Sequence, residues 1–281
     1  MVDRSRSSAF FSHAVLVGGL LAIFFPLFVT LVASTHELRD IAAAPMPLAF
    51  GRDAVENYEK ALFEGSLSLG VPVWRMMMTS FAMAIVIAVG KIAISILSAY
   101  AIVYFRFPLR MVSFWLIFIT LMLPVEVRII PTYKVVSDLG MLDSIGGLTI
   151  PLIASATATF LFRQFFMTIP DELVEAARID GAGPMRFFWD VVLPLSRTNI
   201  AALFVILFIY GWNQYLWPLL VINSKDMDTI LIGLYRMLTV NEAQIEWHVV
   251  MATAVLAMIP PLIVIVAMQR WFVKGLVETE K

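Results

Sequence analysis

Apolar residues in this chain come in long unbroken runs rather than at the alternating or three-to-four spacing of a soluble domain. A helix needs about 20 consecutive apolar residues to cross the hydrocarbon core of a bilayer. Six stretches meet or approach that length: 12–33, 76–104, 110–130, 144–166, 199–222 and 247–272. Pro124, Glu126 and Arg128 interrupt the third, and small polar residues fill the fourth. The pattern predicts an all-α polytopic membrane bundle of six transmembrane helices, forming a single domain over 1–281. The first run follows Arg4 and Arg6 as a signal peptide would, but it is about twice the length of a secretory apolar core, which predicts an uncleaved anchor.

Two polar segments break this regime. One is 34–75, punctuated by Pro45, Pro47, Gly51, Gly65, Gly70 and Pro72. The other, 168–198, contains DELVEAARIDGAGPMRFFWDVVLPLSR and lies between the fourth and fifth runs. It reads as two short helices around a tight corner. Thr168 and Asp171 give a capping signal, and Pro170 suits a first turn. Glu175 and Arg178 are spaced to pair at i,i+3, as are Arg186 and Asp190 at i,i+4. Gly181 suits the left-handed residue that ends a helix, Pro184 starts the next helix, and Pro194 stops it. Helices this short are unstable alone in water and must pack on something. One reading is a solvated connector. The other is a docking element, which the caps, the glycine corner and an exposed Phe187-Phe188-Trp189 cluster favour.

Composition agrees with a lipid solvent. The chain is 60% hydrophobic and 15% charged, with a mean hydropathy of +0.88, more apolar surface than a soluble domain buries. A net charge of −1 leaves no basic footprint for nucleic acid. The absence of cysteine removes disulfides, thiolate metal sites and a Cys nucleophile. His13, His36 and His248 are too far apart in sequence to suggest a metal centre. No GxxxxGK phosphate loop is present, so ATP chemistry belongs to another chain and no cofactor is expected here. Arg4, Arg6, Arg106, Arg110, Arg163, Arg178, Arg186, Arg197, Arg270, Lys274 and Lys281 fall on one side of a six-span model. The positive-inside rule then places both termini and the charged module in the cytoplasm.

Polar residues within the runs are the candidate transport residues, because an ionisable group at the bilayer centre costs about 2.5–3.5 kcal/mol on insertion scales. Lys91 shares a helical stripe with Ala84, Ala88, Ser95 and Ser98, while Ile85, Ile92 and Ile96 lie off it. It therefore faces protein or a cavity, either paired with a buried acid or snorkelling, or else meeting an anionic cargo. Glu126 and Arg128 follow the helix-breaking Pro124, as an ion pair at the outer mouth or as cargo contacts. Tyr210, Asn213 and Gln214 sit with Trp212 and Trp217 ahead of Pro218, either lining a pathway or packing between helices. Ser155, Thr157 and Thr159 read as helix-packing residues, and Pro260-Pro261 as a kink.

The module carries a specific resemblance. Glu175-Ala176-Ala177, Asp180-Gly181 and Leu193-Pro194, within IPDELVEAARIDGAGPMRFFWDVVLP, resemble the EAA motif of ABC-importer permeases, in its carbohydrate-uptake form. LSAYAIVYFRFP, FLFRQFFMTIP and GWNQYLWPLL agree with it, and the likeness is weakest in 1–75 and 223–246. LMLPVEVRIIPT and SATATFLFRQFF narrow it to permeases of sn-glycerol-3-phosphate importers. The resemblance implies the type I permease fold, a non-enzymatic subunit of the inner membrane, and a coupling role for 168–198. It implies as partners a homologous second permease, two cytoplasmic ATPases that bind the ATP, and a periplasmic solute-binding protein facing 223–246. The implied cargo is sn-glycerol-3-phosphate or a related glycerophosphodiester, with an oligosaccharide or polyol as the alternative. An ion-coupled secondary transporter is the remote rival, since it would have no use for a docking module.

Overall fold

The computed structural model describes residues 6–120, 123–239 and 245–277, and their side chains except 6–9, 125, 126 and 271–277. Regular structure among these residues is helical throughout. The main helices are α1 (Arg6–Ala33), α2 (Ala54–Glu59), α3 (Val73–Tyr104), α4 (Arg110–Ile119), α5 (Val125–Asp138), α6 (Ala156–Phe166), α7 (Asp171–Ile179), α8 (Pro184–Phe187), α9 (Arg197–Trp212), α10 (Leu216–Val221), α11 (Ile230–Leu238) and α12 (Trp247–Val277). They form two compact units, 1–75 with 233–259 and 76–232 with 260–281.

In the first unit the apolar face of α1 is largely uncovered until Val32 and Ala33, which are buried. Polar side chains tie down the segment that follows. The Asn57 amide donates to the carbonyls of Ser34 (3.0 Å) and His36 (2.9 Å). Lys60 Nζ lies 2.6 Å from Glu246 Oε1, and the Leu67 N–H donates to Glu246 Oε2 at 2.7 Å. Burial pushes the Glu246 carboxyl up, but the Lys60 hydrogen bond, the Leu67 N–H and the Lys60 charge outweigh it and hold it below the usual carboxylate range.

The second unit packs around Met83, Ile87, Ile129, Val136, Leu148, Trp217 and Val221. Trp217 Nε1 donates to the Gly147 carbonyl at 3.1 Å, satisfying an indole that the core would otherwise strand. Arg163 lays its guanidinium 4.3 Å from the Phe114 ring centroid, and Phe118 meets Phe160, which joins α4 to α6. Asp143, at φ +52°, accepts the N–H groups of Asn223 and Ser224 at 2.6 and 2.9 Å. The Ser224 and Asn223 N–H groups favour its ionised form and hold the carboxyl below its ordinary value.

The six apolar runs are present, but they are less regular than their composition suggests. Three are continuous helices long enough to cross a membrane: α1, α3 and α12, the last passing through Pro260 and Pro261. The third run is not one helix over 110–130. α4 has ten residues, about 15 Å at 1.5 Å per residue, and Pro124 caps α5 in extended backbone. A proline has no N–H to donate and biases the residue before it away from helix. The fourth run bends by 46° between Ile145–Leu152 and α6. The fifth stops at Trp212 and resumes at Leu216, because the ring and missing N–H of Pro218 disfavour continuous helix across Asn213–Tyr215.

At Gly211, α9 passes close against Ala84 of α3. A Cβ there would sit 2.8 Å from the Ala84 Cα and 3.3 Å from its carbonyl oxygen, both fixed backbone atoms. Gly211→Ala must therefore push the helices apart, a destabilisation of about 1–3 kcal/mol by overpacking. The expected outcome is a lower melting temperature of the detergent-purified protein. An unchanged melting temperature would mean the helices separate freely.

Candidate transport pathway and coupling element

Lys91 is 7% exposed, on the inward stripe of α3 with Ala84, Ala88 and Ser95, all fully buried. Its ammonium lies 3.8 Å from the centroid of the Tyr210 ring on α9. A cation on an aromatic face is stabilised by the ring quadrupole, by up to about 2 kcal/mol when desolvated. The acidic partner considered from the sequence is not found among the described residues. Lys91 instead borders a cavity of about 610 Å³, lined also by Arg128, Tyr210, Ser98, Ser155 and Thr157. A smaller space of about 110 Å³ shares Lys91, Arg128 and Tyr210 and is lined by Gln214. The described lining carries two cations and no acid.

The cavity wall is held by polar bonds that the sequence assigned to packing. Ser155 caps α6, its hydroxyl accepting the Ala158 N–H at 3.3 Å. Its carbonyl accepts from Ser95 Oγ on α3 (3.1 Å) and from Thr159 Oγ1 (2.9 Å).

The charged module forms α7, a corner and α8. Gly181 adopts φ +72°. The Ala182 N–H donates to the Ala177 carbonyl at 2.8 Å and the Gly181 N–H to that of Arg178 at 3.1 Å, the paired bonds of a Schellman cap. Arg186 Nε meets Asp190 Oδ2 at 3.2 Å, while the Glu175–Arg178 pair expected from spacing is not formed. Other details also depart from the sequence reading. Thr168 does not cap α7, since its hydroxyl donates to Phe165 at the end of α6 and Pro170 takes the cap position. Nor does Pro194 stop the second helix. A π turn over Phe188–Val192 precedes it, and the 70° bend into α9 follows at Ser196. The wider turn makes room for a residue with no N–H to give.

Of the aromatic cluster only Trp189 is exposed, at 59%, whereas Phe187 and Phe188 are buried. Phe188 packs on Tyr100 and Phe187 on Tyr104, at centroid distances of 5.0 and 5.3 Å. The Tyr100 hydroxyl donates to the Pro184 carbonyl at 2.6 Å. The module is thus locked to the end of α3 by its inner face. Its outer face still presents Ile179, 85% exposed, with Leu173 and Met185.

Residues 91–278 match the family described as binding-protein-dependent transport system inner membrane component. The chain belongs to this family. Over their full lengths and its own, it is 61% identical to the sn-glycerol-3-phosphate transport system permease protein UgpE of Rhizobium meliloti (strain 1021) and 57% identical to that of Escherichia coli O1:K1 / APEC. A crystal structure of a bacterial ABC transporter involved in the import of the acidic polysaccharide alginate contains a chain with the same fold. The TM-score is 0.79 at 25% identity, covering 97% of this chain and all of that one. The fold is therefore that of an ABC-transporter permease, all-α and built on membrane-spanning helices.

Within this permease, Lys91, Arg128, Tyr210 and Gln214 converge on adjoining spaces, as Glu175, Ala176, Ala177, Asp180 and Gly181 do on one module. Asn213 is exposed and lines neither space. The side chain of Glu126 lies outside the described residues. Thr157 and the cap of α6 are cavity residues that sequence reasoning set aside, because a serine or threonine in a span looks the same whether it packs or lines.

Gly181 meets nothing within 4 Å where a Cβ would stand, so backbone conformation alone restricts the position. Gly181→Val places a β-branched residue at positive φ, at a cost of at least about 1–2 kcal/mol. The protein should still insert in the membrane while transport falls. Normal transport would make the corner a mere linker.

Proposed function

We propose that this permease carries sn-glycerol-3-phosphate, or a related glycerophosphodiester, inward across the inner membrane as one subunit of an ATP-driven importer. The observation that carries the cargo assignment is the cavity with Lys91 and Arg128 on its walls and no acid in its described lining. An anion crossing a low-dielectric region is stabilised by fixed cations, which a neutral sugar or polyol would not need. Full-length relatives at 57–61% identity are named for this cargo.

In this reading the chain catalyses no reaction and binds no ATP. A homologous second permease completes the pathway, a periplasmic solute-binding protein delivers cargo near 223–246, and two cytoplasmic ATPases grip 168–198 through Glu175, Ala176, Ala177 and the exposed Ile179 face. Closure of the ATPases displaces the module. Because Phe187, Phe188 and Pro184 are tied to Tyr100 and Tyr104, the displacement reaches α3, which also carries Lys91. Asp180, Gly181 and Pro194 preserve the shape of the module under that load.

Reconstituted with its partners and ATP, the wild-type complex should take up sn-glycerol-3-phosphate and not neutral polyols. Equal uptake of both would overturn the cargo. Orientation is tested with single cysteines in this cysteine-free chain at two exposed positions, Leu67 at 84% and Ile179 at 85%. Leu67→Cys should react with an impermeant thiol reagent from the periplasmic side and Ile179→Cys only from the cytoplasmic side. Labelling of both from one side would refute N- and C-termini in the cytoplasm.

A further inference from the structure

The first turn of α6 forms part of the cavity wall: Ala154, Ser155, Ala156 and Thr157 all line it. The first N–H groups of any helix have no intrahelical acceptor and point out of its end, where the dipole favours an anion. The Ser155 side chain satisfies only the Ala158 N–H. Among the described residues no acceptor takes the N–H of Ala156 or Thr157. Independently, the same cavity receives Lys91, more than nine-tenths buried, with the Tyr210 ring as its neighbour and no carboxylate within ion-pair reach among the described residues. α6 has eleven residues, enough to sustain an end charge.

We infer that the N-terminus of α6 and the Lys91 ammonium, with Arg128 on the same cavity wall, form a site for the phosphate group of the cargo, so that this subunit itself holds the anion in transit. The inference rests on the proposed anionic cargo and deepens it. A phosphate monoester offers three acceptor oxygens and carries about −1.5 to −2 charge at pH 7. The Ala156 and Thr157 N–H groups supply directional bonds, and Lys91 supplies a compact charge with three donors. The Ser95 bond to the Ser155 carbonyl keeps the helix end in register with Lys91, since both come from α3.

The deciding variant is Ala156→Pro. Proline is well tolerated at the first helical position, where its fixed φ suits the turn, and Ser155 at φ −145°, ψ 107° already has the extended backbone that a following proline requires. The substitution removes one N–H from the site and leaves the side chains of the wall in place. Lys91→Met removes the charge at similar length.

Two measurements are made on the assembled complex: uptake of radiolabelled sn-glycerol-3-phosphate into proteoliposomes, and its retention by purified complex lacking the solute-binding protein. We expect Ala156→Pro and Lys91→Met each to lower both at least tenfold. A wild-type complex that takes up sn-glycerol-3-phosphate, matched by both Ala156→Pro and Lys91→Met, overturns the phosphate site and leaves the cargo standing. A wild-type complex that takes up none overturns the cargo reading itself. Should Ala156→Pro fail to co-purify with its partners, Lys91→Met decides alone, with wild-type retention counting against the site.

Discussion

The contact of Lys91 with the Tyr210 ring is the interaction around which the membrane part of this protein is organised. A lysine deep in a span is tolerable only if its ammonium is kept from lipid. Here the small residues of the α3 stripe bring neighbouring helices close, and Gly211 admits Ala84 at the α9 crossing. That crossing sets Tyr210, one residue earlier, beneath the charge. The stabilising partner is an aromatic face rather than a carboxylate, so the cation is shielded without being neutralised.

Lipid imposes a second constraint, because every backbone group within it needs an internal partner. Proline breaks are affordable only where the chain borders a polar space or another helix. The three interruptions of the apolar runs follow this rule. Pro124 and the bend before α6 both border the cavity, and the segment between α9 and α10 adjoins the smaller space through Gln214 and Leu216. Breaks that look like defects in hydropathy are the places where the wall of a cavity is polar.

α3 connects cavity and module. Lys91 and Ser98 face the cavity, and further along the same helix Tyr100 and Tyr104 clamp α8. A single continuous helix transmits displacement with little loss, whereas the jointed helices around it can reorient. The module's inner face is committed to this clamp, and Ile179, Leu173, Met185 and Trp189 are exposed on its outer face.

Run lengths, the basic residues near their ends, the glycine corner and the inward stripe of Lys91 are local properties, and these were legible in the sequence. Gly181 at positive φ and the Arg186–Asp190 pair followed from neighbours within one or two turns. The EAA-like motif was likewise legible, since its residues are contiguous. The fate of the longer-range groups was not legible. Phe187 and Phe188 are buried and Trp189 is not, because only the first two meet Tyr104 and Tyr100, more than eighty residues earlier in the chain. Pro194 is absorbed by a π turn that no propensity announces. Lys91 has a ring for a partner, and the end of α6 opens on the same cavity, because three helices distant in sequence converge there. Periodicity determines which face of a helix turns inward. What waits on that inner face depends on side chains from other helices, and only their packing decides it.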